Sequence, residues 1–199
     1  MASAALREKQ APIKASYKSD PSSALVTLTS KGTLDSSSIT CKLDTGKQIQ
    51  GAKAKLAGLH PKAGGDDPDI SGELCSGDML LEALVACAGV TLKAVATALD
   101  IPIKSGTVTA EGDLDFRGTM GVDREAPVGF QGIRLGFEIK LEDGAEVDED
   151  KIEKLGKLTE RYCVVLQTIV RKPEVRVSLR SSQNSEDGIE RGMAWGQKI

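Results

Sequence analysis

Aromatic residues and histidine are scarce in this chain. Aromatics make up 3% of its 199 residues, and the single histidine is His60. Few aromatic rings are therefore present to stack on bases or sugars. A zinc protease or a Ser-His-Asp triad would have to use His60. Because His60 lies in a loop-like Leu-His-Pro context, we expect a surface or structural histidine rather than a ligand.

The chain also lacks an excess of positive charge. Its net charge is −3, whereas a nucleic-acid or anionic-membrane partner needs a concentrated basic patch. We expect no apolar run of the ~20 residues that span a bilayer, and the N-terminus has no apolar signal core. The sequence therefore predicts a soluble, cytoplasmic protein without nucleic-acid or membrane partners, with a mitochondrial location as the alternative.

Cysteine is the residue type that still offers chemistry. The four cysteines are separated by 34, 12 and 76 residues and form no C-x-x-C pair. This spacing excludes zinc ribbons and fingers. A chain with 40% apolar residues can also build its core without disulfides. Cys41 lies on the apolar face of a predicted strand, where we expect a small buried core residue.

We expect one domain between two tails. Residues 1–23 are polar and aperiodic, which predicts a flexible N-terminal tail, with a transit-peptide remnant as the alternative. Residues 24–180 form the domain, and residues 181–199 are predicted to be a C-terminal tail in which Trp195 could dock. Within the domain we expect β-hairpins, a long helix, two alternating strands, an amphipathic helix opened by Asp148, a buried helical turn and a last strand with Val175, Val177 and Leu179 inward. This order predicts an α+β fold in which one antiparallel sheet wraps around helices.

The long helix is the most informative element. The apolar run over 79–99 predicts a helix that Ser76 caps and whose positive N-terminal end Asp78 favours. Asp78 and Glu82 lie on one narrow polar stripe, and Cys87 lies on the opposite side of the helix. A helix buried on most sides is hard for a 199-residue monomer to enclose, so we expect a dimer to cover it.

This arrangement, with one cysteine inside a buried helix and another directly after a late amphipathic helix, resembles the OsmC/Ohr family of osmotically inducible and organic hydroperoxide resistance proteins. The resemblance is carried by residues 80–88 (LLEALVACA), by residues 160–163 (ERYC) and by residues 106–141, where PVGF precedes the alternating strand. It covers roughly residues 24 to 180.

The resemblance implies an intertwined homodimer with two active sites, each built from both subunits. It also implies a peroxidase for alkyl or lipid hydroperoxides, with Cys87 as the attacking thiol, Cys163 as the resolving thiol, and no metal or cofactor. In such enzymes a thiolate cleaves the O–O bond and becomes a sulfenic acid, which a second thiol converts to a disulfide. A dithiol, in part of the family a lipoyl group, then reduces the disulfide.

The residues that activate the thiol in this family are not at the matching positions. Members carry a Glu ten residues before the attacking cysteine and an Arg from the N-terminal hairpins. Here Gly77 stands at the first position, and no Arg occurs between Arg7 and Arg117. A thiol at a helix N-terminus is acidified by the helix dipole, and an Arg in a mobile loop could reach the site from either subunit. The candidates for a supporting role are Cys75, Asp78, Glu82 and Arg124.

Three functions stay open at this point. The peroxidase, an oxidoreductase, is favoured. A non-catalytic binding module or redox sensor on the same fold, with an apolar ligand at the dimer interface, is the alternative. The ionisation of Cys87 near neutral pH discriminates between these two. The third function, a metal site, requires four distant ligands to converge: His60, Cys75, Cys87 and Cys163.

Overall fold

In the computed structural model, four short strands precede a long helix, and a mixture of helices and longer strands follows. The described residues are 19, 31–34, 41–44, 55–60, 63, 74–119, 121, 123–184 and 190–198, so all of the expected N-terminal tail but Ser19 lies outside them. The elements, in chain order, are β1 (Lys31–Leu34), β2 (Cys41–Asp44), β3 (Lys55–Gly58), β4 (Leu74–Cys75), α1 (Ser76–Ala98), β5 (Ile103–Leu114), α2 (Phe116–Thr119), β6 (Phe130–Leu141), α3 (Glu149–Tyr162), α4 (Val164–Arg171), β7 (Arg176–Asn184) and β8 (Glu190–Lys198).

The described strands form three small sheets. Strands β1 to β4 lie in sequential order, with antiparallel pairs except for the parallel β3–β4 pair. Strands β5 and β6 form a second, antiparallel pair, and β7 and β8 form a third. The predicted α+β class is confirmed, but the one continuous sheet that we expected is replaced by three separate ones.

Helix α1 begins one residue differently from the prediction. The backbone of Cys75 is extended, and its Sγ accepts a hydrogen bond from the Gly77 N–H at 3.3 Å, so Cys75 is the N-cap and Ser76 is the first helical residue. The helix ends where predicted: Leu99 is its C-cap, and Asp100, two residues before Pro102, adopts a positive φ of 54°.

One side of α1 is covered by the rest of the described chain. It packs against β5, α3 and α4 through Leu84, Ala88 and Leu92. Another side of α1 is open in the single chain, where Val90 is 72% exposed and Leu80 is 41% exposed. The predicted burial on most sides therefore depends on the expected dimer. The long two-stranded β5–β6 sheet and two helices are too few elements to surround a helix of 23 residues.

Helix α1 is also long and apolar enough, by length and composition, to cross a membrane. The expectation that no apolar run reaches that length is therefore wrong, because few polar residues interrupt this one. The core helix of a soluble protein meets the same criteria. In the single chain α1 packs on a sheet and two helices along one side, and 28% of its apolar window is buried.

The β5–β6 pair and α3 follow the predicted pattern. Apolar side chains of β6 such as Leu135 and Phe137 are half-buried, and the intervening Arg134 and Glu138 are exposed. Asp148 caps α3 as predicted, since its carboxylate accepts a hydrogen bond from the Lys151 N–H at 2.6 Å. These elements therefore present one apolar face to α1.

The C-terminal segment differs from the expectation. Strands β7 and β8 form an antiparallel hairpin in which Leu179 pairs with Trp195, where we expected a tail from residue 181. The side chains expected to point inward are exposed: Val175 by 45%, Val177 by 39% and Leu179 by 66%. The predicted helical turn is helix α4, and its burial is incomplete, since Val164 is 69% exposed. Only the apolar side chains on one face of α4 pack against α1.

Candidate active site

The fold brings Cys87 and Cys163 together. Cys87 lies in the middle of α1, and Cys163 forms the junction between α3 and α4. The Cys163 N–H donates to the Thr159 carbonyl at 3.0 Å, and the Cys163 carbonyl accepts from the Gln167 N–H at 2.9 Å. Both thiols are free and hydrogen-bond each other. This is the pair that the family resemblance selects.

The thiol pair lies in an apolar cluster between α1, the β5–β6 sheet and α4. Leu84, Ala88 and Cys163 have no exposed surface, and Cys87 is half-buried. Cys87 is therefore the member of the pair that solvent and small molecules reach. The partly buried apolar side chains around this cluster are Val108, Ala110, Ile133, Leu135, Phe137, Val165, Leu166 and Ile169.

Neutral hydrogen-bond donors lower the pKa of Cys87. Burial of its thiol acts to raise the pKa, but hydrogen bonds from the Val165 N–H, the Cys163 thiol, the Val164 N–H and the Thr91 hydroxyl outweigh it. Val164 and Val165 begin α4, where N–H groups have no partner inside the helix and the helix dipole is positive. The Cys163 side chain, at the N-cap position, makes no cap bond, and the Val164 N–H acts on Cys87 while the Val165 N–H acts on both thiols.

The pKa of Cys163 shifts in the opposite direction. Its burial raises the pKa, and the charge and hydrogen bond of Cys87 raise it further. Cys87 is therefore the more acidic of the two thiols, and Cys163 is the one that keeps its proton to higher pH. This is the distribution that nucleophilic attack by one thiol and later resolution by the other require.

The sequence argument missed the α4 N-terminus. The sequence analysis looked for charged residues that would replace the family's Glu and Arg, but no Lys or Arg of the described residues acts on Cys87. The signal that could have revealed the donors is the position of Cys163 directly before the second helix. A cysteine at a helix N-cap places the free N–H groups of that helix beside whatever contacts the cysteine.

The other candidate residues lie away from the thiol pair in the single chain. Asp78 and Glu82 line a shallow surface cavity of about 380 Å³ on the other side of α1. Cys75 caps α1, and Arg124 is exposed in the loop before β6. None of these four is among the described groups that act on Cys87. Their supporting role stays a prediction.

The structure does not bring the four residues of the metal-site hypothesis together. Across the described residues, no group of three or more His, Cys, Asp or Glu side chains is arranged to hold a metal ion. The His60 ring instead lies 4.8 Å from the Phe116 ring, measured between centroids. His60 thus has the structural surroundings expected for it.

A cavity of about 240 Å³ lies beside Cys163, on the side of β6, α3 and α4. Its walls are mostly apolar, and Glu160 is its charged residue. The cavity is formed inside the single chain, unlike the interface cavity that the sequence led us to expect. The residues that line it are Leu135, Phe137, Gly156, Thr159, Glu160, Cys163 and Leu166.

Comparison with known proteins identifies the family. The sequence model of the family described as OsmC-like protein matches residues 65–178, which include α1, β5, β6, α3, α4 and both thiols of the pair. The chain belongs to the OsmC-like family. The recognition made from the sequence is thereby confirmed. A search of the curated proteins finds no match.

Solved structures of OsmC-like proteins share this fold. An OsmC-like protein from Mycoplasma pneumoniae aligns with a TM-score of 0.53 and 18% identity, covering 72% of this chain and 87% of that one. An OsmC-like protein of unknown function from Vibrio cholerae aligns with a TM-score of 0.58 and 14% identity, covering 73% and 95%. At these identities the likeness shows the fold. OsmC-like proteins are generally dimeric, and the family includes peroxiredoxin-like stress proteins.

Proposed function

We propose that this OsmC-like protein is a thiol-dependent peroxidase that reduces organic hydroperoxides. One observation carries the proposal: the Cys87 sulfur lies at the N-terminus of α4 beside the Cys163 thiol, with the pKa of Cys87 lowered and that of Cys163 raised. Two buried cysteines with only a structural role do not need pKa values that shift in opposite directions. The apolar cluster around the pair favours alkyl or lipid hydroperoxides over hydrogen peroxide.

In the first step, the Cys87 thiolate attacks the terminal oxygen of the hydroperoxide ROOH. An S–O bond forms, the O–O bond breaks, and RO⁻ leaves and takes a proton to become the alcohol. Sulfur is oxidised to a sulfenic acid and the peroxide oxygen is reduced. The α4 N–H groups hold the sulfur as a thiolate before the attack, because they are preorganised donors that carry partial positive charge.

In the second step, the Cys163 sulfur attacks the sulfur of the Cys87 sulfenic acid. A disulfide forms, and the leaving hydroxide combines with the proton from the Cys163 thiol to give water. A dithiol then reduces the Cys87–Cys163 disulfide and is itself oxidised to a disulfide. The dithiol class, which includes lipoyl groups, is an expectation from the family. The location in the cytoplasm or, as the alternative, in mitochondria is an expectation from the sequence.

We also propose that the active form is a homodimer. The side of α1 that the single chain leaves open carries small and apolar residues, among them Leu80, Ala83, Ala86 and Val90, of which Val90 is 72% exposed. Small residues allow two helices to approach closely, and an exposed apolar face is stabilised when a partner covers it. A dimer would also allow the second subunit to bring Arg124 or an acidic residue to the thiol pair.

Peptide mass spectrometry of the reduced protein tests the peroxidase. One equivalent of cumene hydroperoxide should remove two hydrogens within minutes and link Cys87 to Cys163, faster than hydrogen peroxide does. Cys163→Ser should stop at a sulfenic acid that dimedone traps on Cys87, and Cys75→Ser should behave as the unchanged protein. A disulfide through Cys75 would reassign the thiols. Unchanged mass with both oxidants would refute the peroxidase.

The cavity beside Cys163 supports a second function, an apolar-ligand binding module or redox sensor. Its volume of about 240 Å³ suits a small apolar molecule or part of one, and its walls come from rigid elements. This function predicts that a small apolar ligand binds equally well to the reduced protein and to Cys87→Ser. Calorimetric titration of both proteins checks it, and it becomes the favoured function if the mass experiment shows no oxidation.

A further inference from the structure

Thr91 lies one helical turn after Cys87 on α1. Its hydroxyl donates a hydrogen bond to the Cys87 carbonyl at 2.8 Å, and it is one of the donors that lower the pKa of the Cys87 thiol. Among the described residues, Cys87 is the one partner that the Thr91 side chain has. A threonine hydroxyl carries one proton and can rotate, so it can donate to either of two acceptors.

The two acceptors on Cys87 differ in what they need. The Cys87 carbonyl already accepts the backbone N–H of Thr91, because both residues lie inside α1 and helical N–H groups bond four residues back. A thiolate is charged, and hydrogen bonds to charged acceptors are about twice as strong as those between neutral groups. Once Cys87 loses its proton, the hydroxyl therefore gains more by donating to the sulfur than by keeping its second bond to the carbonyl.

Other threonines show that the carbonyl bond by itself is ordinary. Thr97 donates to the Lys93 carbonyl and Thr168 to the Val164 carbonyl, each at 2.8 Å, and neither is among the groups that act on the Cys87 thiol. Thr91 differs because its hydroxyl makes the same carbonyl bond and is also one of the groups that act on the Cys87 thiol.

We propose that Thr91 is a positioning residue that donates its hydroxyl to the Cys87 thiolate. Together with the N–H groups of Val164 and Val165, it surrounds the sulfur with neutral hydrogen-bond donors. The α4 donors approach the sulfur from the neighbouring helix, and Thr91 approaches it from the next turn of α1. Donors on two sides fix the direction of the sulfur lone pair that attacks the peroxide. This role rests on the proposed peroxidase for its purpose.

The ionisation of Cys87 can nevertheless be measured without any peroxide. The rate of Cys87 alkylation by iodoacetamide, followed by peptide mass spectrometry as a function of pH, reports the thiolate. We expect Thr91→Val to move the midpoint of this profile to higher pH by about one unit, which lowers the rate below the midpoint roughly tenfold. Thr91→Ser keeps the hydroxyl and should retain the original midpoint.

Thr97→Val is the matched control, since it removes the same kind of carbonyl bond from the same helix. It should leave the Cys87 profile unchanged. If Thr91→Val does not fold, Thr91→Ser against Thr91→Ala makes the same comparison. An unchanged midpoint in Thr91→Val, or an equal shift in Thr97→Val, would overturn the role of Thr91. Because alkylation needs no peroxide, failure of the peroxidase would show separately as a Cys87 that alkylates normally but is not oxidised.

Discussion

At the scale of single residues, the chemistry depends on two thiols that differ in acidity although they touch. Burial raises the pKa of both thiols, but for Cys87 the hydrogen bonds from Val165, Cys163, Val164 and Thr91 outweigh it, whereas for Cys163 the hydrogen bonds from Leu166 and Val165 do not outweigh burial and the neighbouring Cys87. The activating groups are uncharged. Screening by salt weakens exposed charge pairs, so the acidity of Cys87 should change little between low and high ionic strength.

The Cys163 thiol is one of the donors to Cys87, so its removal should make Cys87 less acidic. Cys163→Ala takes this donor away, whereas Cys163→Ser keeps an O–H in its place. A lowered pKa means that the Cys87 thiolate persists to lower pH than that of an ordinary cysteine and that reactivity is lost as the pH falls through the pKa. We expect the alkylation profile of Cys87 to move to higher pH in Cys163→Ala and to stay near its original position in Cys163→Ser. Equal profiles would show that Cys163 does not donate to Cys87.

At the scale of elements, Gly156 in the middle of α3 serves no packing purpose. A Cβ at this position would meet no atom within 4 Å, and glycine inside a helix is less favourable than alanine by roughly 0.5–1 kcal/mol. Gly156→Ala should therefore raise the free energy of unfolding by about that amount, measured as a higher urea midpoint with an unchanged slope. A lower midpoint would mean that another subunit contacts this face of α3.

Gly112 in β5 provides the opposite case. A Cβ there would overlap the ring of Phe130, which pairs near it across the β5–β6 sheet. Gly112→Ala should lower the free energy of unfolding by about 1–3 kcal/mol, because the ring must leave its place. Adding Phe130→Leu to Gly112→Ala tests the cause, since the alanine should cost less when the ring is absent.

Elements with a strong local pattern could be predicted, and contacts between elements could not. The alternation in β5 and β6 and the cap at Asp148 are visible in the sequence because each depends on neighbours a few residues away. The sequence also placed Cys87 inside a helix and Cys163 after one. It could not show that α4 begins against the Cys87 sulfur, because the turn between α3 and α4 sets that geometry through packing on α1. The β7–β8 pair was not predicted, because the polar and glycine residues of β8 resemble those of a flexible tail.

At the scale of the whole molecule, the exposed apolar side of α1 requires a cover that the described part of the single chain does not provide. This side carries Leu80, Ala83, Ala86 and Val90, and a membrane or a second subunit are the two environments that an apolar helix face accepts. The helices and sheets around α1 already occupy its other side. A second copy of the chain is therefore the simpler cover, and it agrees with the dimers that are general among OsmC-like proteins.

Val90→Glu should separate the subunits, because Val90 is 72% exposed in the single chain and a charge buried between two helices is strongly unfavourable. We expect sedimentation to give about twice the 21.0 kDa chain mass for the unchanged protein and close to the single-chain mass for Val90→Glu. Lys154→Gln, at an exposed position on α3, changes the net charge by the same amount as Val90→Glu and should leave the dimer intact. If the unchanged protein sediments as a monomer, the dimer proposal fails. If Val90→Glu remains a dimer of equal affinity, the subunits meet elsewhere and the free side of α1 needs another partner.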